Sequence, residues 1–486
     1  MTGTHHFVAS ALKRLAERDP ARTAIVSAEA KKITVRELDE LVSRAHERFV
    51  GKGMRPGEAV VIVADRSVQF IVTLLAVWKA GAVPAPVDAG NPQSRIRRMI
   101  SESQASWQVT VEHAHATAVR LTDLRTDLPA EASHVLFTSG SAGVPKAVIV
   151  GHGALEMMAR TYPSVFDVDH HDRFALTGGV GHDPVLRDIV MSLHLGSELH
   201  IPAKEVFTAP GALAGFVQER GVTVLHATPA LVEFGLLVGR GASSCLRRVI
   251  CGGAQLTAAV AASIFSHAPE ARLFNVYGAT ETPQIASAME IPPMLAGLNP
   301  SAPLPVGSGF GSNRVRVEHD GGTQQVVVSG PHLALGYLPL DGPQAGFRRT
   351  AESADRPGEY FTGDSGTSDE SGTVTVIGRI DRQVSLNGYR FALEEVEAAA
   401  RSISHVQSCR AEMRQGPFGA SLALHVALTP DERGAVSSRR EIQRQLRDVL
   451  PAYAIPSAIT VSPARLTANN KNAMSGTATH VGADRD

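Results

Sequence analysis

Cysteine is scarce in this chain: Cys245, Cys251 and Cys409 are the only three in 486 residues. Their number is odd, their spacing is wide and no CxxC pair occurs. That excludes a disulfide framework and a cysteine zinc site, and it fits a reducing, cytoplasmic setting. An excess of charge of one sign is also lacking, since 47 Lys and Arg face 48 Asp and Glu, for a net charge of −1. No polyanion partner such as nucleic acid is expected from that balance. Long apolar runs are missing as well. The longest, Phe70 to Trp78, falls far short of a membrane span, and no membrane partner is expected. The N-terminus, MTGTHHFVASALKRLAERDP, is charged and has no extended apolar centre, so it reads as an amphipathic helix rather than a signal peptide. The pairs His5–His6 and His170–His171 have no partners at ligand spacing and read as solvated surface.

What is present is an ordinary globular composition, 43% hydrophobic and 20% charged, in a chain too long for one domain. Short β-rich runs alternate with helix-length segments. AVVIVAD (59–65), HVLFTSG (134–140), KAVIV (146–150), VTVLHATP (222–229) and RRVICGG (247–253) read as buried strands. Ser67–Lys79, Val185–Leu195 and Leu256–His267 read as helices between them. The alternation predicts an α/β fold with layered, largely parallel sheets. A glycine- and proline-rich stretch, Pro292–Gly311, precedes a small β-rich module over Asn313–Gly336. A compact α+β block follows, with helices over Ala392–Ser402 and Ser437–Leu450 and a strand over Ala420–Leu428.

The stretch VLFTSGSAGVPKAV (135–148) concentrates hydroxyls and glycines before a proline and a lysine. A P-loop requires four residues between its glycines and then Gly-Lys-Ser/Thr opening a helix. Here Pro145 holds Val144 extended and Lys146 starts an apolar β run, so the loop joins two strands. Its glycines permit close approach of backbone amides to an anion. From these residues alone, a Ser/Gly-rich turn and a phosphate-holding loop remain equally open.

That loop resembles the signature of the adenylate-forming superfamily: acyl-CoA synthetases, luciferases and the adenylation domains of nonribosomal peptide synthetases. The resemblance recurs in order along nearly the whole chain. ITVREL (33–38), WKAGAVPAPVD (78–88), NVYGATET (275–282), VVVSGPHLALGYL (326–338), YFTGD (360–364), GRIDRQVSLNGYRFALEEVE (378–397), LPAYAIPS (450–457) and LTANNK (466–471) carry it. It implies an N-terminal core over 1–380 and a small mobile C-terminal domain over 381–486, with Asp381 at the hinge. It also implies attack of a carboxylate on the α-phosphate of ATP, then transfer of the acyl group to a thiol. Positioning, cations and Mg²⁺ would stabilise the crowded phosphoryl transition state.

The site residues follow from the same resemblance. Thr138, Ser139, Gly140, Ser141 and Gly143 would wrap the β- and γ-phosphates, with Lys146 nearby. Thr280 would bond the α-phosphate and Glu281 would hold Mg²⁺. Asn275 belongs to the same segment, and Tyr277 would stack on adenine opposite Gly252–Gly253. On their own, Tyr277 reads as core and Glu281 as solvated surface. Asp364 would accept from both ribose hydroxyls, assisted by Arg379, although a TGD stretch favours an Asx-turn in any protein. Lys471 matches the mobile lysine that bridges the attacking carboxylate and the α-phosphate. After it the chain reads Asn472–Ala473–Met474, unlike the family's usual continuation. Ser385 and Asn387 stand where relatives often carry Lys and Arg, and Ala142 and Ala147 where they often carry Thr and Gly.

The segment GGVGHDPVLRDIV (178–190) aligns with the family's Phe-Asp-x-Ser motif, where amino-acid-activating members bind the substrate ammonium. By its residues alone Asp183 before Pro184 reads as an N-cap; by resemblance it is the ammonium carboxylate. Arg187 lies one turn on and either pairs with Asp183 or Asp188 or meets a polar group of the substrate. Ile250, Gly252, Val276, Gln284 and Ile285 map to other pocket walls, and their mostly small or aliphatic character favours an aliphatic substrate. His182 and Pro184 depart from the motif and favour a β-amino over an α-amino acid. Only 15 residues follow Lys471, so a freestanding enzyme with a separate acyl carrier protein is expected; an acyl- or aryl-CoA synthetase is the alternative. Lys471→Ala is expected to lower amino-acid-dependent pyrophosphate exchange on the order of 10²-fold or more, the loss typical of removing one group that stabilises transition-state charge.

Overall fold

Helices begin where the sequence supplies caps. Thr34 and Glu37 of ITVREL form a reciprocal capping box that opens the helix Val35–Gly51. Ser67 caps Val68–Lys79 and Thr257 caps Ala258–His267. The N-terminal helix Phe7–Arg18 buries Val8, Ala11, Leu12 and Leu15, the stripe expected of an amphipathic helix. The computed structural model describes residues 7–463 apart from 113–114, 123–127, 139–144, 238–244, 296, 321–322, 350–357, 387–388, 405, 417–418 and 429–438. Ser139, Gly140, Ser141, Gly143, Asn387 and Lys471 therefore lie outside the described residues. No helix among the described residues is long and apolar enough to cross a membrane.

The largest sheet has eight strands in the order Ser287–Ile291, Arg272–Tyr277, Arg248–Cys251, Val224–Ala227, Arg173–Ala175, Glu198–His200, Thr23–Val26 and Lys32–Thr34. Its interior pairs are parallel, while the outermost pair at each edge is antiparallel. A four-stranded sheet places the fully buried run Ala59–Ala64 between Val83–Asp88 and Trp107–Glu112, with His115–Arg120 outermost. Pro84 and Pro86 sit on the edge strand of that sheet, where a missing amide donor is tolerated. The indole of Trp78, wholly buried, donates to the Ser133 carbonyl at 2.8 Å and ties the helix to the next layer.

The strands on either side of 139–145 are those expected: Ala132–Thr138 and Lys146–Gly151 pair antiparallel, with Thr138 opposite Lys146. Gly336–Tyr337 adds a third strand beside Lys146–Gly151. The β-rich module is a six-stranded sheet that includes Asn313–Asp320, Thr323–Ser329, Glu359–Ser368 and Val374–Arg379. Two expectations shift by two or three residues. The helix expected from Val185 starts at Asp183, and that expected over Ser437–Leu450 is seen as Arg439–Arg447.

Beyond Asp381 the chain builds a core of its own from Phe391, Val396, Leu424, Ile442 and Ile459. It comprises the hairpin Gln383–Leu386/Tyr389–Ala392, the helices Leu393–Arg401 and Arg439–Arg447, and a sheet of Val406–Gly416, Gly419–Leu428 and Ala458–Pro463. This unit docks through a buried ion pair between Arg95 and Glu395. Ser94 Oγ adds a bond to the Asp448 carbonyl at 2.7 Å; within the unit the Tyr389 and Tyr453 rings stack at 4.3 Å.

Truncating one partner of a buried ion pair strands the other charge and costs about 3–5 kcal/mol. Glu395→Ala is therefore expected to loosen this docking and to speed tryptic cleavage after Arg379 and Arg382 by roughly tenfold or more, whereas Arg95→Met/Glu395→Leu restores resistance; limited proteolysis reads both.

Candidate functional site

The parallel strands of the large sheet end on one edge, and the loops leaving that edge carry most of the candidate residues. This is where open α/β sheets place their ligands. Arg248–Cys251 runs into Gly252 and Gly253, Arg272–Tyr277 into Gly278–Glu281, and Arg173–Ala175 into Gly178–Asp183. Gly252 admits no side chain here, because a Cβ would lie 2.7 Å from Val276 Cγ2. Ile250, Gly252, Val276, Gln284 and Ile285 are thereby brought to one region, with Ile250 and Ile285 fully buried. The turn from Gly278 to Ile285 is tight. Ala279 N–H donates to Thr282 Oγ1, Ala286 N–H donates to the Tyr277 carbonyl, and Gln284 takes a left-handed φ of 68°.

Asp364 and Arg379 face each other across antiparallel strands. Arg379 Nη1 donates to Asp364 Oδ1 at 3.0 Å, and Tyr277 Oη donates to Asp364 Oδ2 at 2.6 Å. The same guanidinium holds Asp381 through Nε at 2.7 Å, so the expected hinge residue is tied directly to the expected ribose site. Glu281, nearly buried, accepts from Tyr337 Oη at 2.8 Å, and Tyr337 also meets Tyr360 Oη at 3.2 Å. Burial beside Glu281 pushes the Tyr337 phenol far up, so it stays protonated and donates. Lys146 Nζ lies 5.1 Å from the centre of the Tyr337 ring, placing a cation at the mouth of the loop. Thr280 is half-buried on the turn beside Glu281. Asn275 commits its amide to the Leu304 and Pro305 carbonyls, which shapes the neighbouring loop.

The helix Asp183–Leu195 is buried over ten of its residues. His182, not Asp183, occupies its N-cap position, and Pro184 follows in the first turn. The capping reading of Asp183 fails: its carboxylate accepts from Gln284 Nε2 at 3.2 Å, lies 3.9 Å from His134 Nε2, and meets no helix amide. Arg187 pairs with neither Asp183 nor Asp188. Asp188 instead accepts from His226 Nδ1 at 2.5 Å, and His226 Nε2 meets Tyr162 Oη at 2.6 Å. Burial pushes the His226 imidazole down, which favours the neutral ring in this chain of bonds.

Several site residues had no signal in the sequence pattern. His134 is a wholly buried histidine that follows the buried Ser133 and precedes the apolar run Val135–Phe137. Tyr337 lies in VVVSGPHLALGYL but only the third strand beside Lys146–Gly151 brings it to Glu281. Tyr389 reaches His182 from the C-terminal unit, with ring centres 5.2 Å apart, and Ser385 Oγ donates to the Gly253 carbonyl at 3.0 Å. The hydroxyl that replaces the family's cation thus still contacts the site.

Residues 12–338 match the family described as AMP-binding enzyme. Surfactin synthase subunit 2 of Bacillus subtilis (strain 168) is 29% identical over 495 residues, covering 95% of this chain but only 14% of that protein. An artificially fused adenylation–PCP di-domain NRPS from Klebsiella oxytoca matches with a TM-score of 0.78 at 21% identity, over 95% of this chain and 94% of that one. A double mutant of o-succinylbenzoate CoA synthetase from Bacillus subtilis matches with a TM-score of 0.78 at 18% identity, over 95% and 96%. At those identities the structures show a shared fold: a large N-terminal α/β part and a smaller C-terminal one.

Burial holds the His182 imidazole at about 4, against an ordinary 6.5; Asp183 opposes that shift and Arg95 adds to it. A lowered folded-state value means that the unfolded chain binds more protons between those two values, so this residue's contribution falls as pH drops through that window. In His182→Gln the decline in melting temperature from about pH 7 to about pH 5 is expected to be shallower than in the parent protein, as followed by thermal denaturation.

Proposed function

The chain belongs to the AMP-binding enzyme family, and from that premise we propose that it is an AMP-forming acid–thiol ligase that activates an amino acid. The observation that carries the amino-acid reading is Asp183. Its carboxylate is nearly withdrawn from water, bonded to a neutral amide, and set at the ligand edge of the sheet. A substrate ammonium supplies the cation that such a group requires. His182 and Pro184 beside it support an amine β to the activated carboxyl.

In the first half-reaction a carboxylate oxygen of the substrate attacks the α-phosphorus of ATP. The new O–P bond forms as the bond to pyrophosphate breaks. Ser139, Gly140, Ser141 and Gly143, with Thr138 and Lys146, are assigned to the departing phosphates. Thr280 is assigned to the α-phosphate, Tyr277 and Gly253 to adenine, and Asp364 with Arg379 to the ribose. Glu281 fits Mg²⁺, because it offers a carboxylate oxygen beside that taken by Tyr337 and a hard cation binds through one such group plus phosphate oxygens. Mg²⁺ would offset charge on those phosphates. Lys471 is assigned to the attacking carboxylate.

In the second half-reaction a thiolate attacks the acyl carbonyl and AMP leaves. The adenylation–PCP fusion supports a carrier-protein thiol as acceptor, and we propose that a separate chain provides that carrier and its phosphopantetheine. The separate core beyond Asp381 supports units of 1–380 and 381–486, and rotation about Asp381 would exchange the hairpin at His182 and Gly253 for the segment bearing Lys471. The shared fold with o-succinylbenzoate CoA synthetase supports coenzyme A as the rival acceptor. Thioester formation with holo-carrier against coenzyme A separates the two.

Pyrophosphate exchange across α- and β-amino acids tests the main reading. Asp183→Ala is expected to lower kcat/KM for the amino acid on the order of 10²-fold, as removal of one member of a buried charge pair does. Equal exchange with acids that lack the amine overturns it.

A further inference from the structure

We propose that Arg187 recognises a second carboxylate on the substrate, so that the acid activated is an amino dicarboxylate. The inference rests on the amino-acid reading of Asp183 and narrows it.

Arg187 is 6% exposed, and its Nε has no hydrogen-bond partner. Among the described residues no carboxylate lies within ion-pairing distance of the guanidinium. The two acids nearest in sequence bond other groups: Asp183 Oδ1 accepts from Gln284, and Asp188 Oδ1 accepts from His226, which is itself bonded to Tyr162, while Asp188 Oδ2 is buried without a hydrogen-bond partner and makes no ion pair with Arg187. Arginine keeps its proton in proteins, so this charge is not relieved by neutralisation. A buried, unpaired guanidinium is costly and is met by an anion when one is available. Its planar fork suits a carboxylate in bidentate geometry.

Position supplies the rest. Asp183 and Arg187 are four residues apart on one helix, which sets their Cβ atoms about 5–6 Å apart on the same face. An ammonium at Asp183 and a carboxylate at Arg187 are therefore spaced as on one small amino dicarboxylic acid. Ile250, Val276 and Ile285, which cluster in the adjoining core, are assigned to its carbon skeleton, and the remaining carboxyl is the one activated. This revises the aliphatic side chain expected from those walls alone, because the cation on the helix face is unmatched.

The test is pyrophosphate exchange with matched acids: aspartate against asparagine, glutamate against glutamine, and 3-aminoglutarate against 3-aminobutyrate. The dicarboxylate of at least one pair is expected to exceed its uncharged partner on the order of 10²-fold in kcat/KM. Arg187→Gln is expected to collapse that ratio to within about tenfold, while Arg187→Lys retains part of it. The parent protein's own preference reads the proposal even if a variant does not fold. Equal exchange with both members of every pair overturns the assignment of Arg187 and leaves the amino-acid reading intact. Exchange with no amino acid overturns both.

Discussion

A carboxylate taken out of water must be met by donors or cations, and three such groups organise the ligand edge of this protein. Asp364 is met by Arg379 and Tyr277, Glu281 by Tyr337, and Asp183 by the neutral amide of Gln284. The first is matched by a full charge within the protein. The second is met by a phenol, and the third by an amide with the His134 ring 3.9 Å away. That asymmetry separates a site already balanced from positions that call for an incoming cation, and it is why the metal and the ammonium are assigned to Glu281 and Asp183.

The scaffold explains how residues so distant in sequence meet. Parallel strands deliver successive loops to one edge, so Gly178–Asp183, Gly252–Gly253 and Gly278–Glu281 converge although about 100 residues separate the first from the last. The β-rich module contributes Asp364 and Arg379 as cross-strand partners, and Arg379 continues to Asp381. One guanidinium therefore touches both the nucleotide side and the connection to the C-terminal unit. That unit in turn sets Tyr389 on His182 and Ser385 on Gly253, so its orientation bears directly on who reaches the site.

Much of this was legible in the chain. Pro145 alone determined that the glycine-rich loop joins two strands, since proline removes the donor and the preceding conformation that a helix start needs. ITVREL reads as a motif and is physically a capping box. The helix expected at 185 began two residues earlier because its cap fell on His182, and that small shift freed Asp183 from capping. Arg187 was read beside two acids in sequence, and only the fold showed both engaged elsewhere.

Local patterning by itself determined the elements, their order and the strand that begins after Pro145, because caps, period and proline stereochemistry act within a few residues. Tertiary structure decided which charges are paired. Whether Asp183 and Arg187 meet other protein groups depends on Gln284, His134, His226 and Asp188, which lie on separate strands and helices, and burial sets the cost of leaving either one unmet. Neighbours in space, which spacing along the chain does not reveal, left two polar residues of one helix buried and of opposite charge without pairing them to each other.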